Sequence, residues 1–259
     1  MSSKALKVHT QGKIGNPVLV FLHAFPFSGE MWKDQINLFS EKFYCVAPDL
    51  PDFGESDPSD QAVTFEYYVD SVLNYLKEEK IEKAIWCGLS MGGYLALRMF
   101  ERAPDNCRAL ILCDTKAGAD SNEAKLKRWD NIQILKRNRA EFIGIQWHAL
   151  VGESSKNNGP LKTRFEELIS RVTDTGIISG LVALATRTDC TPGLSKIHVP
   201  VLILVGEEDK VTPVSESEIM TKAIVGSQLK IIAKTGHLSN LENPQKFNDH
   251  LSDFLTSLS

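Results

Sequence analysis

The sequence predicts an α/β fold: a mostly parallel central sheet with helices on both faces and a helical cap inserted after a central strand. Short apolar runs alternate with helical patterns from residue 18 to about residue 115, the rhythm of successive strand-helix-strand units. From about residue 116 to residue 194 that rhythm stops, and charged helical sequence takes over with no comparable apolar strand. Strand patterning resumes at Val199 or Pro200 and ends in a last helix around 244–255. Residues 1–115 and 195–259 are therefore expected to form the core domain, and residues 116–194 the cap.

The elements follow in order. Val18-Leu19-Val20-Phe21-Leu22 reads as the first central strand, and Trp32 stands where the next helix starts. Ala84-Ile85-Trp86-Cys87, Ala109-Leu110-Ile111-Leu112-Cys113 and Pro200-Val201-Leu202-Ile203-Leu204-Val205 are further continuous apolar runs, the pattern of strands covered on both faces. Leu229-Lys230-Ile231-Ile232 is a shorter strand. Within the cap, helices are expected over 122–139 and 161–172, separated by a polar turn at 152–160 where Pro160 stops any continuous helix.

Between a strand and a helical segment lies Gly88-Leu89-Ser90-Met91-Gly92. A Gly-x-Ser-x-Gly turn in that setting is a nucleophile elbow: small flanking residues let neighbouring backbone approach, and the serine hydroxyl is lifted clear of the sheet. The motif is short, so it needs partners. Gly206-Glu207-Glu208-Asp209 closes the strand beginning at Pro200, and Thr235-Gly236-His237 follows the strand around Leu229. A serine hydroxyl is a weak nucleophile at neutral pH. It needs an imidazole to take its proton, and that imidazole needs a carboxylate to fix its tautomer. Ser90, Asp209 and His237 supply these types in the order serine, acid, histidine.

With these residues, the chain resembles the α/β-hydrolase superfamily from its first strands to its last helix, the middle segment excepted, and within it small carboxylesterases and enol-lactone hydrolases. Val18 to Phe25 is similar to the family's first central strand and His-Gly turn, and Asp49-Leu50-Pro51-Asp52-Phe53-Gly54-Glu55-Ser56 to its Asp-x-x-Gly-x-Gly-x-Ser loop. Ala24 and Asp52 stand where the family usually has glycine. The resemblance implies an oxyanion hole made by the backbone amides of Phe25 and Met91, with Phe25 also walling the substrate pocket.

Other candidates carry less. His23 is expected to hold loop backbone, and His9, His198 and His250 to be solvated or packed. Asp114, at the end of its strand, is an alternative acid. Trp147 and His148 are assigned to substrate binding, with plain helix packing the alternative for both. Lys127, Arg128, Arg137 and Arg139 read as the solvated face of a helix. The histidines and cysteines lack zinc-ligand spacing, and the glycines match neither a phosphate loop nor a dinucleotide fingerprint, so neither a metal nor any other cofactor is expected.

The whole chain is 259 residues with a formal net charge of -4, which gives no electrostatic case for nucleic acid or an anionic membrane. No stretch approaches the ~18 apolar residues of a membrane span. Five scattered cysteines fit reduced thiols, with Cys87 and Cys113 packed in the core, and the first residues lack a signal-peptide core, so a cytoplasmic protein is expected. The expected partner is a small-molecule ester or lactone. A serine nucleophile points to acyl transfer on an ester, thioester or lactone. Three rivals use the same site: a perhydrolase or cofactor-free haloperoxidase, a carbon-carbon bond hydrolase, and a slow-turnover ligand receptor.

Overall fold

Strand order explains where everything else sits. The computed structural model describes residues 6–59 and 63–258. In chain order they form β1 (Val8–Gln11), β2 (Val18–Leu22), α1 (Lys33–Phe39), β3 (Tyr44–Pro48), α2 (Phe65–Glu78), β4 (Ala84–Leu89), α3 (Met91–Arg102) and β5 (Cys107–Cys113). Four helices follow before the sheet resumes: α4 (Asn122–Arg137), α5 (Arg139–Leu150), α6 (Gly159–Ser170) and α7 (Asp174–Ala185). The chain ends with β6 (Val201–Gly206), α8 (Val214–Ala223), β7 (Gln228–Ile232), α9 (Ser239–Glu242) and α10 (Pro244–Ser257). The seven strands pair in the order β1-β3-β2-β4-β5-β6-β7. All pairs are parallel except β1 with β3, which run antiparallel at the sheet edge.

The apolar runs occupy the middle of this order. Every residue of β4 and β6 is buried, as strands covered on both faces require. The edge strand β7 is mostly exposed instead, with Lys230 and Ile231 exposed and Ile232 buried. Aromatic contacts join the layers: Phe21 meets Trp32 at 5.0 Å between ring centroids, and Trp32 meets Phe247 of α10 at 6.0 Å. The inserted helices are fastened in the same way. Phe165 of α6 takes Phe27 edge-on at 5.4 Å and Trp147 of α5 at 5.3 Å.

Helix ends correct two details. The stretch 122–139 is not one helix, because Asn138 adopts an extended backbone with φ −157 and its side chain caps the amides of Ala140 and Glu141, starting α5. Pro160 opens α6 rather than stopping a helix, since its missing amide is harmless in the first turn. Helix α7 lies in the segment whose pattern was charged overall, and its Thr173 cap accepts from Gly176.

The turn from β4 into α3 is built by close approach. Ser90 has φ 54 and ψ −110, and its amide donates to Cys113 O at 2.9 Å. A methyl group on Gly92 would meet Leu22 O at 2.0 Å, and one on Gly88 would meet Gly92 O at 2.1 Å. Backbone cannot yield as a flexible side chain can. Gly92→Ala is therefore expected to destabilise the protein by about 3 kcal/mol or more, read as a fall in Tm of roughly 10 °C. A melting temperature equal to wild type would show that the turn relaxes freely.

Candidate active site

The elbow, the end of β6 and the loop after β7 converge on one cavity of about 520 Å³. Ser90 lies in its wall and is 8% exposed. Its Oγ is 2.7 Å from His237 Nε2, and His237 Nδ1 is 2.8 Å from Asp209 Oδ2. The Asp209 carboxylate is further held by the amides of Val211 and Thr212 on Oδ1, at 2.8 and 3.0 Å, and by the Thr212 hydroxyl on Oδ2 at 2.8 Å. These donors fix the carboxylate so that one oxygen faces the imidazole. Nδ1 then carries the proton, and Nε2 is left as an acceptor toward Ser90.

Electrostatics follow from burial and contact. Burial pushes the Asp209 carboxyl up, but His237 and the Thr212 bonds outweigh it and hold it below its usual range. Burial likewise opposes a charged His237, yet the Asp209 carboxylate prevails and raises the imidazole above its ordinary value of 6.5.

Asp114 ends β5 with φ 43, and its two oxygens are taken elsewhere: Oδ1 accepts from the Gly206 amide at 2.8 Å and Oδ2 from the Ser239 hydroxyl at 2.5 Å. Its carboxyl is pushed up to about 8, first by burial and then by the charge of Asp209. Asp209, not Asp114, is the carboxylate bonded to His237.

The amides expected to face a developing oxyanion belong to Phe25 and Met91. Phe25 lines the cavity, and Met91 opens α3 directly after Ser90. Neither amide donates to a protein acceptor among the described residues. Ala24 keeps the turn tight without glycine, its carbonyl accepting from Phe27 N at 2.9 Å and pairing with His23 Nδ1 at 3.0 Å. His23 Nε2 accepts from Leu50 N at 3.1 Å, so this histidine ties two loops together, and burial lowers it to about 4. Asp52 tolerates φ 71 where glycine is usual, and its carboxylate accepts from Ser59 N at 2.6 Å.

Several expectations about individual residues are corrected. Trp147 is buried edge-on against Phe165 and does not line the cavity. His148 is exposed and is also absent from the wall. Helix periodicity explains this: Gln146, Ala149 and Leu150 take the cavity face of α5, which turns Trp147 into the core. His9 is not merely solvated, because its Nε2 pairs with Asp49 Oδ1 at 3.1 Å. Arg128 and Lys127 line the cavity rather than a free helix face, and Arg139 is bonded to Asp174 and to the carbonyls of Ile169 and Val172.

Other contributors were not singled out from sequence. Glu242 accepts from the amides of Gly152, Gly236 and Leu238, and His237 N donates to Leu150 O at 2.8 Å. These bonds clamp the His237 loop to the end of α5. No group of residues suited to a metal ion occurs among the described residues, and no single described helix is long and apolar enough to cross a membrane.

Comparison with known proteins agrees with this architecture. The 3-oxoadipate enol-lactonase 2 of Acinetobacter baylyi is 26% identical over 94% of this chain and 90% of that protein. A malate-bound thermophilic esterase from Thermogutta terrifontis superposes with a TM-score of 0.91 at 31% identity, covering 98% of this chain and 93% of that one. The enol-lactonase of Burkholderia xenovorans LB400 shares the fold with a TM-score of 0.89 at 23% identity, covering 97% of this chain and 96% of that one. The family model described as alpha/beta hydrolase fold matches residues 17–244. The chain therefore belongs to the alpha/beta hydrolase fold family and is an enzyme of the α/β-hydrolase type.

Proposed function

We propose that this enzyme hydrolyses a carboxylic ester, thioester or lactone through an acyl-enzyme on Ser90. The observation that carries this reading is the hydrogen-bonded line from Ser90 Oγ through His237 to Asp209, set in the wall of a cavity large enough for a small molecule. Ser90 Oγ attacks the carbonyl carbon while its proton passes to His237 Nε2. The carbonyl oxygen becomes an oxyanion and accepts from the amides of Phe25 and Met91, an arrangement whose single donors are worth about 10²-fold to 10³-fold in rate. Collapse of the intermediate breaks the bond to the leaving oxygen or sulfur, which takes the proton from His237. Water then repeats the cycle on the acyl-Ser90 ester, releasing a carboxylic acid and restoring the serine. In a lactone the leaving alkoxide stays tethered, and the product is a single hydroxy acid.

Residues 116–194 act in this reading as a cap that sets substrate choice, since α4, α5 and α7 contribute much of the cavity wall. The relatives named as enol-lactonase and esterase support an ester or lactone as substrate.

The test is release of nitrophenolate from short-chain and medium-chain 4-nitrophenyl esters. Sustained turnover is the expected result, and a folded protein that gives none would contradict the reading. The pH profile adds a second check. His237 must be neutral to accept the Ser90 proton, and its pKa is raised, so the base is lost at a higher pH than for an ordinary imidazole. From about pH 8 down to about pH 5, kcat/KM should fall with a midpoint above 6.5. A midpoint below that value would contradict the raised base.

A further inference from the structure

The cavity that holds Ser90 is cationic in a protein whose net charge is negative. Lys116, Lys127, Arg128 and Lys210 line it, against the carboxylates of Asp120 and Asp130, in a chain of formal net charge -4. One of those carboxylates is already committed. Asp120 is buried, with its side chain 2% exposed, and takes the Nε of Arg128 on Oδ2 and Nη1 of Arg187 on Oδ1. Arg187 itself is buried, its side chain also 2% exposed, with its guanidinium 4.0 Å above the Tyr94 ring and bonded to Gly118 O. Arg187 thus supplies the countercharge that Asp120 needs.

The consequence falls on Arg128. Its guanidinium is anchored through Nε by a carboxylate whose charge is neutralised from behind, so the positive charge of Arg128 is not cancelled by the group that positions it. Its two terminal nitrogens have no protein acceptor among the described residues, and the residue lines the cavity at 20% side-chain exposure. A guanidinium fixed by one edge presents parallel donors to a carboxylate, a match of charge and shape that a lysine lacks. Partial burial strengthens the pairing relative to open water.

We propose that Arg128 is a specificity-determining residue that binds a carboxylate carried by the substrate, with Asp120 positioning it and Arg187 cancelling the charge of Asp120, so that the preferred substrate is an anionic ester or lactone. The proposal rests on the acyl-transfer reading of Ser90.

The test measures kcat/KM by pH-stat for matched pairs. The monomethyl esters of succinic, glutaric and adipic acids are compared with methyl butanoate, pentanoate and hexanoate, and acetoxy acids of similar length with alkyl acetates. The first arm places the carboxylate on the acyl side, the second on the alcohol side. Wild type is expected to prefer the charged member of at least one pair by about tenfold or more. Arg128→Gln should lower that charged-to-neutral ratio by about 10²-fold, chiefly through KM, and Arg128→Lys should recover part of it. The ratio is internal to each variant, so a change in the amount of folded protein does not mimic it. Wild type preferring the neutral member of every pair would overturn the proposal, as would a ratio that survives Arg128→Gln or disappears with Lys127→Gln instead. Absence of turnover on both members of every pair would strike the acyl-transfer reading itself, and the proposal with it.

Discussion

Ser90→Ala is expected to lower kcat for ester hydrolysis by about 10⁵-fold to 10⁶-fold while the protein stays folded. The substitution removes one oxygen, the atom that lies 2.7 Å from His237 Nε2. It leaves the β4-to-α3 turn intact, because the bonds that hold that turn use the backbone of Ser90 and not its hydroxyl: the Ser90 amide donates to Cys113 O, and the Thr115 hydroxyl donates to Ser90 O. Alanine at φ 54 is no more strained than serine there, so near-wild-type circular dichroism and melting are expected alongside the lost activity. Residual hydrolysis above the uncatalysed rate would reflect the backbone donors and binding alone. Activity within tenfold of wild type would remove Ser90 from the reaction.

Asp209→Asn is the second large effect, expected to lower kcat by about 10⁴-fold, against less than about tenfold for Asp114→Asn. The difference lies in what each carboxylate does. Asp209 Oδ2 accepts from His237 Nδ1, and its charge favours the imidazolium that forms when Ser90 gives up its proton. An amide at that position has no charge and favours the wrong tautomer. Asp114 serves Gly206 and Ser239 instead, and burial together with the charge of Asp209 raises its carboxyl, so losing its charge to asparagine takes no hydrogen bond from His237. Its loss should appear in stability more than in kcat. Steady-state kinetics on both variants at the same pH decides the matter, and the reverse ranking would move the acid to β5.

The contrast between these two aspartates also shows why the core of the site was legible in the sequence. Strands buried on both faces must be continuously apolar, so β2, β4, β5 and β6 stand out, and the residues at their carboxyl ends fall on one side of the sheet by construction. Ser90, Asp209 and His237 were found by that rule together with the chemistry each residue type permits. The edge strand β1 was not legible, because Val8-His9-Thr10-Gln11 is short and polar and pairs only through its backbone with β3. The inserted helices were legible as helices but not in their facing. Trp147 and Leu150 look equally suited to a ligand in the sequence, but in the fold Trp147 packs edge-on against Phe165 of α6 and Leu150 stays in the cavity wall.

Charges hid more. Arg128 on α4 has the spacing of a solvated helix face, and its partnership depends on Asp120 meeting Arg187, a residue separated from it by 67 positions. Nothing local marks such a pair. Glu242 escaped in its bond to the distant Gly152 for the same reason, whereas Thr212 and the nearby partners of Glu242 are close in sequence and were missed because the path of each loop is defined only by the folded chain.

Covalent capture tests the central claim most directly. The intact protein is treated with an alkyl fluorophosphonate, which phosphonylates an activated serine with loss of fluoride, and the adduct is located by peptide mass mapping. One adduct per chain on the peptide carrying Ser90, absent from Ser90→Ala and strongly slowed in Asp209→Asn, is the predicted result. An unlabelled wild-type protein, or an adduct elsewhere that persists in Ser90→Ala, would contradict it.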